Sequence, residues 1–163
     1  EMGVVSGLMG HYRAAEDYLH LALERSPTWS IPLINLSVVL YQQNRITEAK
    51  EAAIRAIALG AWNPGSYLNL GTILQSEGDL KGAENLYRRA LKINPELPDA
   101  HYNIACIHAL RGQHTAALES LRKAIKFGFD QPEHILADRD LESLRDKPAF
   151  VQLLHTSFPD LRR

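Results

Sequence analysis

Alanine returns on a fixed beat in this chain. Ala15, Ala49, Ala83 and Ala117 stand 34 residues apart, and Ala22, Ala56, Ala90 and Ala124 keep the same interval seven residues later. Seven residues are two α-helical turns, so both series fall on one stripe of a helix. A methyl side chain at one place on successive helices leaves the same hole for a neighbour each time, and helices approach to about 8 Å only where side chains are short. A stack of equal helical hairpins meets that condition, whereas a globule with one irregular core has no reason to keep it. The beat predicts an all-α solenoid, a class that binds more often than it catalyses.

Turn residues follow the same interval. Gly10, Asn44, Gly78 and Gly112 are of the two types that accept the left-handed conformation ending a helix. Asp79, after Gly78, is placed to cap the next helix. Pro27 and Pro95 stop the second helix in two units, and Gly60 and Gly128 in the other two. With Pro64 as slot 1, Tyr67, Leu70, Gly71, Ala83, Tyr87, Ala90 and Pro95 occupy slots 4, 7, 8, 20, 24, 27 and 32. This pattern resembles the tetratricopeptide repeat (TPR), with Leu74 at slot 11, where that family has an aromatic, as the departure. Slot 7 recurs as Met2, Leu36, Leu70 and Ile104, and slot 8 as Gly3, Ser37, Gly71 and Ala105. The resemblance implies a right-handed α-solenoid of four units over 1–129 (1–29, 30–63, 64–97 and 98–129), the first lacking its opening residues.

The pattern fails after Gly128, where Arg139 and Val151 would fall in slots 8 and 20. Pro132 and Pro148 nevertheless read as helix starts, and Leu141, Leu144, Phe150, Leu153 and Leu154 have helical spacing. Residues 130–163 are expected to form a helical cap over the apolar end of the last unit, with 159–163 frayed.

Eighteen basic residues against 19 acidic ones give no reason to expect nucleic acid or an anionic membrane as partner. No apolar run approaches the ~20 residues that cross a bilayer. A single cysteine, Cys106, excludes an internal disulfide and fits a reducing compartment, so a cytoplasmic location is expected. The opening residues enter the repeat part-way through its first helix, which predicts further sequence upstream.

In TPR arrays slots 2, 5, 6, 9, 12 and 13 face the concave side. The resemblance therefore implies a partner-binding groove of Ile31, Ile34, Asn35, Val38 and Tyr41, then Leu68, Asn69, Thr72 and Gln75, then Tyr102, Asn103 and Cys106. Val4, Leu8, Gln42 and Leu110 extend it. The surface is uncharged and suits an extended segment or an amphipathic helix of a partner protein. Asn35, Asn69 and Asn103 share slot 6, and an amide can pair with both polar groups of a peptide unit; the same residues can instead bridge neighbouring units. The C-terminal segment, or another copy, is a second candidate to fill the groove. No Lys or Arg occupies slots 2, 5 and 6, so a clamp for a partner's terminal carboxylates is excluded.

Seven histidines offer no metal pair. His101 and His108 are about 10.5 Å apart along one helix and fall in slots 4 and 11, where packing aromatics belong. Cys106 has no base or cation one turn away, so a packed thiol is expected. The reading is a non-enzymatic interaction module with no cofactor and no metal, acting as scaffold, adaptor or co-chaperone. The alternative is a substrate-presenting array within a larger enzyme, such as a glycosyltransferase. Self-association through the array ends is a third possibility.

Overall fold

A computed structural model describes residues 2–60 and 62–159, with side chains from residue 11 onward. Among them every regular element is helical. The chain forms two compact units, 1–93 and 94–163.

Unit 1 contains α1 (Met2–Arg25), α2 (Ser30–Gln42), α3 (Ile46–Leu59), α4 (Pro64–Ser76) and α5 (Leu80–Ile93). Helices α2 and α3 make one hairpin and α4 and α5 the next. Both hairpins close in the same way. Asn44 and Gly78 have φ of 60° and 86°, as their residue types predicted. The amide of the positive-φ residue donates to a carbonyl three residues back (Tyr41, Gln75), and the next amide donates five back (Leu40, Leu74), at 2.9–3.0 Å. These bonds satisfy carbonyls that a helix end would otherwise orphan. Asp79 then caps α5 by accepting from the Gly82 amide at 2.9 Å, and Asn63 does the same for α4 through Gly65 at 2.9 Å.

The alanine stripe lies where helices cross. Ala49, Ala56, Ala83 and Ala90 are fully buried. Slots 8 and 24 meet in the α4–α5 hairpin, where Tyr87 lies buried against Gly71; a Cβ on Gly71 would sit 2.5 Å from the Tyr87 ring. Slot 24 carries Ala53, Tyr87 and Leu121, and slot 8 in the same units carries Ser37, Gly71 and Ala105. The bulkiest residue faces the smallest.

One expected turn does not occur. Helix α1 runs without a break through Gly10, so the first unit is a single helix rather than a hairpin. A glycine inside a helix costs only about 1 kcal/mol. A break would orphan several backbone groups, and only a packed hairpin offsets that loss. The side chains of Met2, Gly3, Val4 and Leu8, expected at repeat and groove positions, lie outside those described. Further along, Glu16 of α1 receives Arg45 Nη1 on both carboxylate oxygens at 2.8 Å. Burial pushes the Glu16 carboxyl up, but hydrogen bonds from Arg45 and Gln43 outweigh it and the net shift is downward.

Unit 2 contains α6 (Pro98–Leu110), α7 (His114–Lys126), α8 (Pro132–Ala137), a 3-10 helix (Arg139–Leu144) and α9 (Pro148–Ser157). Gly112 closes the α6–α7 hairpin at φ 70° and Gly128 ends α7 at φ 105°. Helices α8 and α9 begin at the two prolines, as expected. Ile135, Leu141, Leu144, Phe150, Leu153 and Leu154 pack with Tyr102, Ala105, Cys106, Ala109, Ala117 and Ala124 in one core. The C-terminal segment thus covers the last hairpin.

Candidate functional site

Helices α2 and α4 flank an open cleft of about 170 Å³ in unit 1, lined by Ser37, Val38, Tyr41, Gln42, Asn69, Thr72 and Ile73. No charged residue lines it. Val38, Tyr41, Asn69 and Thr72 are expected groove residues that the fold brings together here. Val38 is 42% exposed, although it is apolar and sits in the middle of a helix. Asn35 and Ile31 are exposed on the same helix, outside the lining. Ile34 is buried in the core with Leu33 and Ala56. Gln75 is turned to its own hairpin, where its Oε1 accepts from the Tyr87 hydroxyl at 2.9 Å. Leu68 is half-buried, and its carbonyl accepts from Thr72 Oγ1 at 3.1 Å.

The cleft floor is held by a closed triangle of hydrogen bonds. Asn69 Nδ2 donates to the Ile34 carbonyl and to Ser37 Oγ, both at 3.0 Å, while Ser37 Oγ donates to the same carbonyl at 2.7 Å. The Asn69 amide hydrogens are therefore engaged with α2. At this position the side chain bridges neighbouring hairpins through its amide hydrogens.

Two slots expected in the groove are sealed. Tyr102 is 4% exposed and Cys106 1% exposed. Phe129 stacks on Tyr102 at 4.2 Å with ring planes 6° apart. The Tyr102 hydroxyl donates to Asp138 Oδ2 at 2.5 Å, and the Cys106 thiol reaches the same oxygen at 3.6 Å. Asp138 Oδ1 accepts from the Asp140 amide at 2.9 Å, capping the 3-10 helix. Tyr102 and Cys106 are thus bound by the chain's own segment and withdrawn from any partner, a correction to the groove read from the repeat. Asn103 stays half-buried beside them. The register of the repeat marks a face of α6 correctly, but it carries no information about what lies on that face.

Cys106, Asp138 and Asp140 bring their ligand atoms within 4.8 Å of one another, the one such trio among the described residues. Burial pushes the thiol up, and the carboxylates of Asp138 and Asp140 push it further. Burial likewise raises the Tyr102 phenol, with the neighbouring Cys106 and Asp138 adding to it. Both oxygens of Asp138 are already engaged, so the trio functions as a hydrogen-bonded clasp. His101 behaves as a packing ring, stacked on Phe127 at 5.3 Å, whereas His108 pairs through Nδ1 with Gln113 Oε1 at 2.7 Å.

Hairpins of equal length, closed by identical turns and crossing at small residues, define a helical-repeat protein of the kind that serves as a scaffold for other proteins. Profiles described as "Tetratricopeptide repeat" match residues 33–60 and 98–127, and one described as "TPR repeat" matches 72–110. The chain belongs to the tetratricopeptide repeat family. No curated protein sequence matches it. Among solved structures it is similar to "Crystal structure of MamA" (20% identity, TM-score 0.68, covering 98% of this chain and 94% of that one). It is also similar to "Crystal structure of MamA protein" (19%, 0.68, 96% and 86%). A third is "MamA 41-end from Desulfovibrio magneticus RS-1" (18%, 0.62, 77% and 71%). At these identities the likeness concerns the fold. No described helix is long and apolar enough to cross a membrane.

Proposed function

We propose that the α2–α4 cleft receives an uncharged, extended segment of a partner protein, and that the chain serves as a scaffold or adaptor through it. The carrying observation is Val38, an exposed apolar side chain in a cleft with no charged lining. An exposed apolar residue alone needs no explanation; one that lines a cleft beside an exposed helix face offers a partner area to bury. The neighbouring Tyr41 adds an aromatic surface with a polar tip, a frequent anchor at interfaces.

Neutral lining also sets selectivity. An ionised side chain entering the cleft would lose water without gaining a counter-charge, which disfavours charged segments. The alternative role, presenting substrates to a larger enzyme, draws on the asparagine ladder. It has less support where Asn69 is engaged with α2.

Selection of displayed random peptides on the immobilised protein tests the proposal. Peptides should be uncharged at their core and should lose at least about tenfold in affinity for Val38→Asp, because a buried, unpaired carboxylate costs more than the ~1.4 kcal/mol that this factor represents. Peptides that bind the variant as well as the parent would place recognition elsewhere.

A further inference from the structure

A second cleft in unit 1 shares no residue with the first. It encloses about 380 Å³ and is lined by Trp62, Tyr67, Arg89, Lys92 and Ile93. Trp62, in the α3–α4 connection, is 87% exposed, whereas a tryptophan is ordinarily well covered. Arg89 and Lys92 are three apart on α5, so both cations stand on one face of that helix. Neither has an acidic partner among the described residues, whereas the adjacent Arg88 is paired with Glu84 at 2.7 Å.

We propose that this cleft binds an acidic peptide segment of a partner protein that carries an aromatic residue among its carboxylates. The charge argument is direct. Two neighbouring cations repel each other and gain from a carboxylate brought between them, and an arginine fork can hold one through two parallel hydrogen bonds. The aromatic argument is equally local. Trp62 presents an open ring on which a second ring can pack, as aromatic pairs do in protein recognition. The volume falls within the range of clefts that enclose a small ligand or a few side chains. Because the two clefts use different residues and opposite ligand chemistry, this site stands or falls separately from the α2–α4 groove.

The test uses the full chain with Trp29→Phe, so that Trp62 alone reports by fluorescence. The probes are the blocked pentapeptide Glu-Glu-Phe-Glu-Glu and its neutral counterpart Gln-Gln-Phe-Gln-Gln, with inorganic phosphate as a third titrant. The acidic peptide should shift Trp62 emission saturably and weaken as salt rises. Arg89→Ala and Lys92→Ala should each weaken it about tenfold, the size expected for one charge-assisted hydrogen bond. Helical content and melting temperature should stay unchanged, because both side chains are exposed. The double variant Val38→Asp, Tyr41→Ala should bind the acidic peptide normally. Equal response to the neutral peptide, an unchanged affinity in both cation variants, saturation by phosphate alone, or no response to the acidic peptide would each overturn the proposal.

Discussion

The same repeat positions meet opposite fates in the two units. On α2, slots 9 and 12 are Val38 and Tyr41, which line an open cleft; on α6 they are Cys106 and Ala109, sealed beneath the C-terminal segment. At slots 9 and 12 the covered face carries the smaller residues, Cys106 and Ala109, but size alone does not set the outcome, since the aromatic Tyr102 is sealed as well. The covering segment is fastened through Asp138, which joins Tyr102, Cys106 and its own 3-10 helix in a single contact set. A repeat thus provides a face, and what lies on that face is decided by residues outside the repeat.

The sharpest way to break this contrast is Asp138→Ala. It removes a helix cap and the acceptor for a buried phenol and thiol, with an expected loss of about 3 kcal/mol by chemical denaturation. Cys106 should at the same time become reactive to a thiol reagent under native conditions. Unchanged stability and a protected thiol would show that the apolar contacts alone hold the segment in place.

Gly71→Ala acts on the open unit. The new methyl group meets the Tyr87 ring at 2.5 Å, and overpacking of this kind costs about 2 kcal/mol. Calorimetry of the variant, alone and with Tyr87→Phe, would show whether the ring can shift. A wild-type melting temperature would mean that it does.

Alkaline pH distinguishes the units without mutation. The Cys106 thiol is raised in the folded state, so its contribution is complete below the ordinary thiol value of 9.0 and is lost as pH rises above it, because the unfolded chain releases the proton first. Each pH unit beyond that point should remove at most about 1.4 kcal/mol through this group. Cys106→Ala should flatten that part of the stability–pH curve, and a curve of unchanged slope would contradict the assignment.

Asn69→Ala has the smallest expected effect, about 1 kcal/mol, because Ser37 keeps its bond to the Ile34 carbonyl. If Asn69 bridges helices, the loss should appear in melting temperature while peptide affinity changes little. The reverse result would restore a ladder role.

Much of the fold was legible because repeats repeat their punctuation. Asn44, Gly78 and Gly112 mark turns by residue type, and the alanine stripe marks the crossings, since each rests on local conformation or on side-chain size. Gly10 shared the first signal and proved misleading, because a glycine ends a helix only when the structure beyond it can pack as a hairpin. The site was legible only in part. Val38, Tyr41, Asn69 and Thr72 follow from register, but the sealing of Tyr102 depends on Asp138, 36 residues away, with no periodic relation to it. The cleft beside Trp62 did not follow from the repeat pattern either, since of its lining residues only Tyr67 holds a pattern slot and the others lie on two further elements.

The pairing of Gly71 with Tyr87 carries a consequence for how such a chain can change. Each hairpin holds a private match between its two helices, so genetic exchange that splits a hairpin brings together surfaces of unequal relief. A recombinant joining α2 to α5 would set Ser37 against Tyr87, where there is room only for a hydrogen. Viable shuffling must move the two helices as one cassette, and the turn that looks most interchangeable from its backbone is the worst place to cut.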